Sequence, residues 1–236
     1  MNALRKKQIF FDFDGTIINQ DTGFTFYKWL LLQSFWRSLG FIICLPILVF
    51  LRLLAFFTNA ASIKKAGLNL VCIIATFNKQ QRINQLIDSF IQTYTQKPIF
   101  FEEAINTIQK HLSQGDEVII VSGCPDFLLN RLLEYTAIDG VILIGSTMRL
   151  STMGLLIETH CYERNKLNCI RSNGLRINET DWLYTDSLSD WPLAKKVNTT
   201  FLVNAHFVTI LIARFLSKRK IFLLEWIKPV KKSIIT

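Results

Sequence analysis

From Thr22 to Ile87 the chain has no aspartate or glutamate, against seven lysines and arginines. A soluble helical bundle puts acids on its wet face, so this gap argues against an ordinary solvated domain there. The five cysteines form no C-x-x-C pair and are odd in number. That usage fits a reducing compartment in which most of them are simply packed. His111, His160 and His206 fall in no metal-ligand spacing, which leaves core or surface roles for them. No signal peptide is visible, because the apolar run after Arg5-Lys6-Lys7 is short and is broken by two aspartates. The N-terminus is therefore expected to stay cytoplasmic. Long uncharged runs are also missing: the longest in the apolar region, Ser38 to Leu51, has 14 residues. A helical span of a bilayer needs roughly 20.

What is present starts with Phe10-Phe11-Asp12-Phe13-Asp14-Gly15-Thr16. Ile9, Phe10, Phe11 and Phe13 have the character of a buried strand, and Gly15 permits an abrupt exit. In an open α/β sheet, ligands bind beyond the carboxyl ends of strands, so Asp12 and Asp14 would face a crevice. Two acids this close need a cation or a proton between them, and Mg2+ suits carboxylates that share a phosphate. The same residues could instead cap a helix and start a turn.

The net charge of +9 is unevenly spread. Residues 1–21 are neutral, 22–87 carry +7, 88–206 carry −4, and 207–236 carry +6. The excess lies outside the expected catalytic core, taken as residues 1–20 and 97–206. Residues 21–96 read as a helical, apolar and basic insertion. Its part from Trp29 to Ile63 has three readings: buried cap helices, an interfacial or re-entrant hairpin bent at Pro46, or one tilted span with arginines at its ends. Residues 61–96 read as further helices of the insertion.

Beyond Pro98 a helix over 99–112 leads into Glu117-Val118-Ile119-Ile120-Val121-Ser122-Gly123, a β-rich run, and Pro125 suits the start of the next helix. Ser122 and the Gly123 amide, beside a helix N-terminus, can hold phosphoryl oxygens. A strand over 140–144, a hairpin near Met153-Gly154, and a helix opened by Cys161-Tyr162-Glu163-Arg164-Asn165-Lys166 follow. Then Asp181 to Asp186 reads as a short strand, with Asp190 near the next helical turn, and Thr200 to Val203 closes the sheet. The tail, 207–236, reads as a basic amphipathic helix ended by Pro229, lying on an anionic membrane surface or docked on the insertion. Its basic residues are interleaved with aliphatics, which does not fit nucleic-acid binding.

Asp12-Phe13-Asp14-Gly15-Thr16, Ser122-Gly123, Lys166 and Asp186-Ser187-Leu188-Ser189-Asp190, in this order across about residues 7–203, resemble the haloacid dehalogenase superfamily of phosphohydrolases. The resemblance implies an α/β fold with a Rossmann-like αβα core and a helical cap, as in the phosphoserine-phosphatase-like branch. Within that branch, Phe11 to Thr16, Asn19-Gln20-Asp21, the aromatic-rich insertion and the Cys161-to-Lys166 segment look most like the phosphatidylglycerophosphatase C family of membrane-bound lipid phosphatases. Related sequences tend to have glycine where this chain has Glu163.

The resemblance implies Asp12 as nucleophile and Asp14 as general acid and base. Mg2+ would be held by Asp12, Asp186 and the Asp14 backbone carbonyl. Ser122, Gly123 and Lys166 would bind the phosphoryl group, and Asp190 would orient Lys166 or a metal-bound water. The expected substrate is a phosphomonoester on a phospholipid, phosphatidylglycerophosphate first, handled at the cytoplasmic side of a membrane. A phosphatase for a small soluble ester such as phosphoserine, and a non-catalytic membrane-bound phosphate-binding regulator, are the alternatives. The sequence leaves the oligomeric state open.

Overall fold

The computed structural model describes residues 6–58, 60–77, 82–97, 99–136, 138–216 and 219–227. Seven strands, β1 (Gln8–Phe11), β2 (Glu117–Pro125), β3 (Ile142–Ser151), β4 (Gly154–Thr159), β5 (Trp182–Thr185), β6 (Thr199–Val203) and β7 (Lys220–Leu224), form one sheet. Its order is β4-β3-β2-β1-β5-β6-β7, and every pairing is parallel except that of β3 with β4. The helices are α1 (Thr22–Leu32), α2 (Phe35–Thr58), α3 (Ala61–Thr76), α4 (Ile83–Tyr94), α5 (Glu102–Ser113), α6 (Asp126–Leu133), α7 (Asn165–Ser172), α8 (Trp191–Ala194) and α9 (Phe207–Leu216).

The central strands are apolar on both sides because both faces of the sheet are covered. Ile9, Phe11, Val118 and Ile120 face one core, shared with α1, α4, α5 and α6. Phe10, Ile119, Val121 and Leu183 face the other, shared with α7 and α8. The result is the three-layer α/β arrangement expected from the sequence. β1 lies between β2 and β5, so successive strands are added first on one side of it and then on the other. The carboxyl ends of these three strands therefore open onto the crevice where such sheets bind ligands.

Helices α1 to α4 are inserted between β1 and α5. Within the insertion α3 lies along the hairpin edge. Thr76 Oγ1 accepts from the Leu155 amide at 2.8 Å and Asn69 Oδ1 from the Ile157 amide at 2.8 Å. Lys65 donates to the Glu158 carbonyl at 2.6 Å. The outer edge of β4, which would otherwise carry unpaired amides, is thus satisfied by helix side chains. α2 packs along α3, with Gly40 near Ile74 and Gly67 near Leu51.

Several expectations are corrected here. The region around Pro46 is not a bent hairpin: α2 runs through Pro46 as one helix of 24 residues. Nor is α2 a buried cap helix, since Ala55 is its one buried residue. The tail is not one amphipathic helix, because Lys220–Leu224 pairs in parallel with Thr199–Val203 as a seventh strand. Its Ile-Phe-Leu-Leu content suits the pleated edge that β6 would otherwise expose, so β6 does not close the sheet. Asn204 makes the turn possible with φ 46°, and its side chain accepts from the Trp226 amide at 2.8 Å. Lys218, Lys228, Pro229, Lys231 and Lys232, which that helix reading used, lie outside the described residues.

Candidate active site

The carboxyl end of β1 delivers Asp12 as the strand stops. The Asp12 amide donates to the Tyr184 carbonyl at 2.9 Å, and the Phe13 carbonyl then gathers the amides of Thr16, Ile17 and Ile18 into a tight turn. Gly15 sits in that turn at φ 74°, and a Cβ there would collide with the Asp186 carboxylate. A glycine is therefore required both for the left-handed backbone and for the approach of β5's end to β1's.

Lys166, at the start of α7, reaches across the sheet and is fully buried. Its Nζ donates to Asp12 Oδ1 at 2.8 Å and pairs with Asp190 Oδ1 at 2.6 Å. Asp190 Oδ2 in turn accepts from the Thr185 hydroxyl at 2.9 Å. Burial pulls the ammonium's pKa down, but Asp12 and Asp190 outweigh it and hold the lysine above its ordinary value. Burial drives Asp12 well above the usual carboxylate range, against the pull of Lys166 and with a further push from Asp190 and Asp186. Burial, then Asp190, pushes Asp186 up to about 6. Asp12, Asp186 and Asp190 share one ammonium, so this cluster carries two uncompensated negative charges when fully ionised. Asp14 hangs beside it, its Oδ1 accepting from the Thr22 amide at 2.9 Å, with a pKa raised by burial to about 7.

The Asp186 carboxylate lies against the bare Cα of Gly15, and a cluster with this excess of negative charge fits a divalent cation of the Mg2+ type. Among the described residues no three acidic, histidine or cysteine side chains cluster as a complete metal cage. A hard cation of this type takes one or two carboxylates and completes its shell from a carbonyl, water and phosphate.

Ser122 and Gly123 lie at the end of β2, where the register with β3 shifts between Val121 and Pro125. Ser122 Oγ accepts from the Cys124 amide at 3.1 Å, which leaves its hydrogen free for an anion. Ser146, not foreseen from the sequence, fixes this loop: its Oγ donates to the Gly123 carbonyl at 2.7 Å and accepts from the Cys161 amide at 3.0 Å. One hydroxyl so ties the Ser122-Gly123 turn to the segment that carries Lys166. Thr22 was missed in the same way; the only sequence signal for either is a small hydroxyl residue near a strand or helix end.

Glu163, the residue in the expected glycine position, is left-handed at φ 49°. Its carbonyl accepts from the Lys166 amide at 3.2 Å, and its carboxylate pairs with Lys64 of α3 at 3.1 Å. The glycine-like backbone is therefore kept, and the side chain ties cap to core.

Asp12, Asp14, Ser122, Gly123, Lys166 and Asp186 all border one cavity of about 1270 Å3, and Asp190 stands behind Lys166. Its other walls are mostly apolar. They come from α1 (Phe24, Tyr27, Leu31, Leu32), α2 (Phe41, Ile42, Leu45, Leu48) and α3 (Leu68, Val71). The volume exceeds the roughly 300–1,000 Å3 of ordinary small-molecule pockets.

A family model described as haloacid dehalogenase-like hydrolase matches residues 9–195. No curated protein sequence matches the chain. Among solved structures, a protein of unknown function from Bordetella pertussis Tohama I superposes with a TM-score of 0.65 at 17% identity, covering 92% of this chain and 99% of that one. A phosphoserine phosphohydrolase-like protein from Francisella tularensis subsp. tularensis SCHU S4 gives 0.60 at 19% identity, over 92% and 94%. A phospho-aspartyl intermediate analogue of phosphoserine phosphatase gives 0.56 at 16%, over 94% of each. At these identities the likeness is one of fold.

Proposed function

The chain belongs to the haloacid dehalogenase-like hydrolases, and from that premise we propose that it is a Mg2+-dependent phosphomonoesterase whose substrate is a membrane phospholipid, phosphatidylglycerophosphate being the best match. The observation that carries the substrate class is the cavity, which joins the catalytic carboxylates to apolar walls of α1, α2 and α3. A phosphoserine-sized ester has no use for those walls. An acyl-glycerol moiety would bury against them.

In this reading Asp12 is the nucleophile. Lys166 holds its Oδ1, so Oδ2 is the oxygen that attacks phosphorus in line, giving an aspartyl-phosphate. Asp14, protonated below about pH 7, gives its proton to the leaving alcohol, and as carboxylate then takes one from the water that hydrolyses the intermediate. The Ser122 hydroxyl, the Gly123 amide and Lys166 hold the remaining phosphoryl oxygens. Asp12 and Asp186, with the Asp14 carbonyl, would hold Mg2+, which supplies neutralising charge at the phosphoryl group. Asp190 acts through Lys166, aiming its ammonium.

Membrane contact is part of the proposal. α2 is long and apolar enough to cross a bilayer by length and composition. Yet one of its faces lines the cavity and its neighbour α3 is bonded to β4, which supports a helix lying in the plane of the cytoplasmic membrane surface. Trp36, Ile43, Ile47, Phe50 and Phe57, all exposed, fall within about 80° of one another on α2 at ~100° per residue. They form the face turned away from the cavity.

The test is phosphate release from phosphatidylglycerophosphate in mixed micelles and from phosphoserine, with Mg2+ or chelator. Release from the lipid, lost with chelator and reduced about 10⁴-fold in Asp12→Asn, is the expected result. Release from phosphoserine alone would reject the lipid reading. Turnover by Asp12→Asn near the wild-type rate would reject the mechanism.

A further inference from the structure

Two cations stand in the middle of the apolar cavity walls. On α1 the residues that line the cavity include Phe24, Lys28, Leu31 and Leu32, one helical stripe with Lys28 in its midst. On α2, Arg52 shares the face of Leu45 and Leu48 and lies about 160–180° around the helix from the outward-facing Ile43 and Phe50, at ~100° per residue. Arg52 therefore faces the cavity and not the membrane-directed side. Neither cation is paired with an acid among the described residues, and the whole segment from Thr22 to Ile87 offers none. The other cavity cations are already engaged: Lys166 by Asp12 and Asp190, and Lys64 by Glu163.

Both side chains are exposed, so each keeps a solvated charge among apolar walls where an incoming anion can pair with it. The phosphomonoester is served by Ser122, Gly123 and Lys166, so this anion is a different group. We infer that Lys28 and Arg52 form a second anion subsite in the cavity, which receives the phosphodiester of a glycerophospholipid whose terminal phosphomonoester sits at Asp12. This deepens the lipid reading and rests on it. It makes the substrate class a headgroup with two phosphates, one diester and one monoester, and it makes Lys28 and Arg52 specificity residues. Arg52 can offer a diester paired N–H donors, and Lys28 a point charge.

The experiment measures binding, so it does not depend on turnover. The full chain is titrated calorimetrically with dihexanoylphosphatidylglycerol, which carries the diester alone, and with dihexanoylglycerol, which carries no phosphate. Wild type, Lys28→Gln, Arg52→Gln and the double variant are compared, with circular dichroism melting to verify folding. Wild type is expected to bind the diester lipid at least about tenfold more tightly than dihexanoylglycerol. Each single variant is expected to lose about three- to tenfold of the diester affinity and none for dihexanoylglycerol, and Arg52→Lys to keep part of it. No diester preference in wild type, or equal losses for both probes, overturns the subsite. If the diester preference depends on these cations while phosphatidylglycerophosphate is not hydrolysed, the subsite stands and the substrate reading falls. If the lipid is hydrolysed while the variants bind the diester unchanged, the reverse holds.

Discussion

The catalytic centre and the α2 face are opposites in how they hold charge and water. At the centre, four acids gather around one buried lysine, and short bonds hold Asp14, Lys166 and Asp190. On α2, long apolar side chains such as Phe56 and Phe57 are about four-fifths exposed, and no acid is present. Short-range bonding fixes the first region, so its chemistry is set by residue identity. The second is fixed by what it faces, so composition matters there more than any single residue.

The sharpest way to break this contrast is to remove the hub of the centre. Lys166→Met leaves Asp12 and Asp190 buried and facing each other, and is expected to cost about 3–5 kcal/mol of stability. Chemical unfolding at pH 8 measures it, and turnover should fall with it. A loss under about 1 kcal/mol would mean that the centre is not held by this triad.

The reciprocal test is on α2. Ile43→Lys with Phe50→Lys should lower release from a lipid in vesicles by about tenfold while p-nitrophenyl phosphate turnover stays level, since ~1.4 kcal/mol of lost apolar contact gives that factor. Equal loss on both substrates would make α2 part of the fold's own packing.

Titration separates the regions again. Asp14 and Asp186 have folded pKa values raised to about 7 and about 6, so the folded state binds protons that the unfolded chain has released. Stability of the metal-free protein should therefore be greatest near pH 4 from this source, and fall as pH rises through 6 to 7. Mg2+ should raise Tm more at pH 8 than at pH 5, and Asp186→Ala should abolish that gain. For an alkyl phosphate, turnover should decline as Asp14 loses its proton through about pH 7. The decline should be shallower for p-nitrophenyl phosphate, whose leaving group needs no proton.

The smallest effect is expected where the two regions meet. Glu163→Gly removes the ion pair with Lys64 but also the left-handed strain, and should change stability by less than about 0.5 kcal/mol. Glu163→Ala keeps the strain and loses the pair, and should cost about 1 kcal/mol. Equality of the two variants would show that φ at this position carries no strain.

The strand ends were legible because apolar runs followed by Asp-x-Asp-Gly or Ser-Gly carry their own local signal, and Lys166 followed from motif order. Asp190 was legible as an acid near a helical turn, but its partnership with Thr185 depends on a fold contact. Ser146 was invisible: a serine in a strand has no pattern that announces a bridge between two loops. Pro46 misled because a proline's local effect is strong, yet α2 continues through it and packs along the next helix, α3. Lys220–Leu224 misled because a short apolar run fits helix and strand alike, and only the free edge of β6 decides between them.

The bonds from Thr76 and Asn69 to β4 have a consequence for assembly. A sheet normally offers two open sides to other sheets, and one of this sheet's two is already occupied by a helix of its own chain. β7 ends the sheet on the other side, with no strand beyond it among the described residues. With one edge taken up from within, at most the other is left for a second copy, so any growth by this route stops at two.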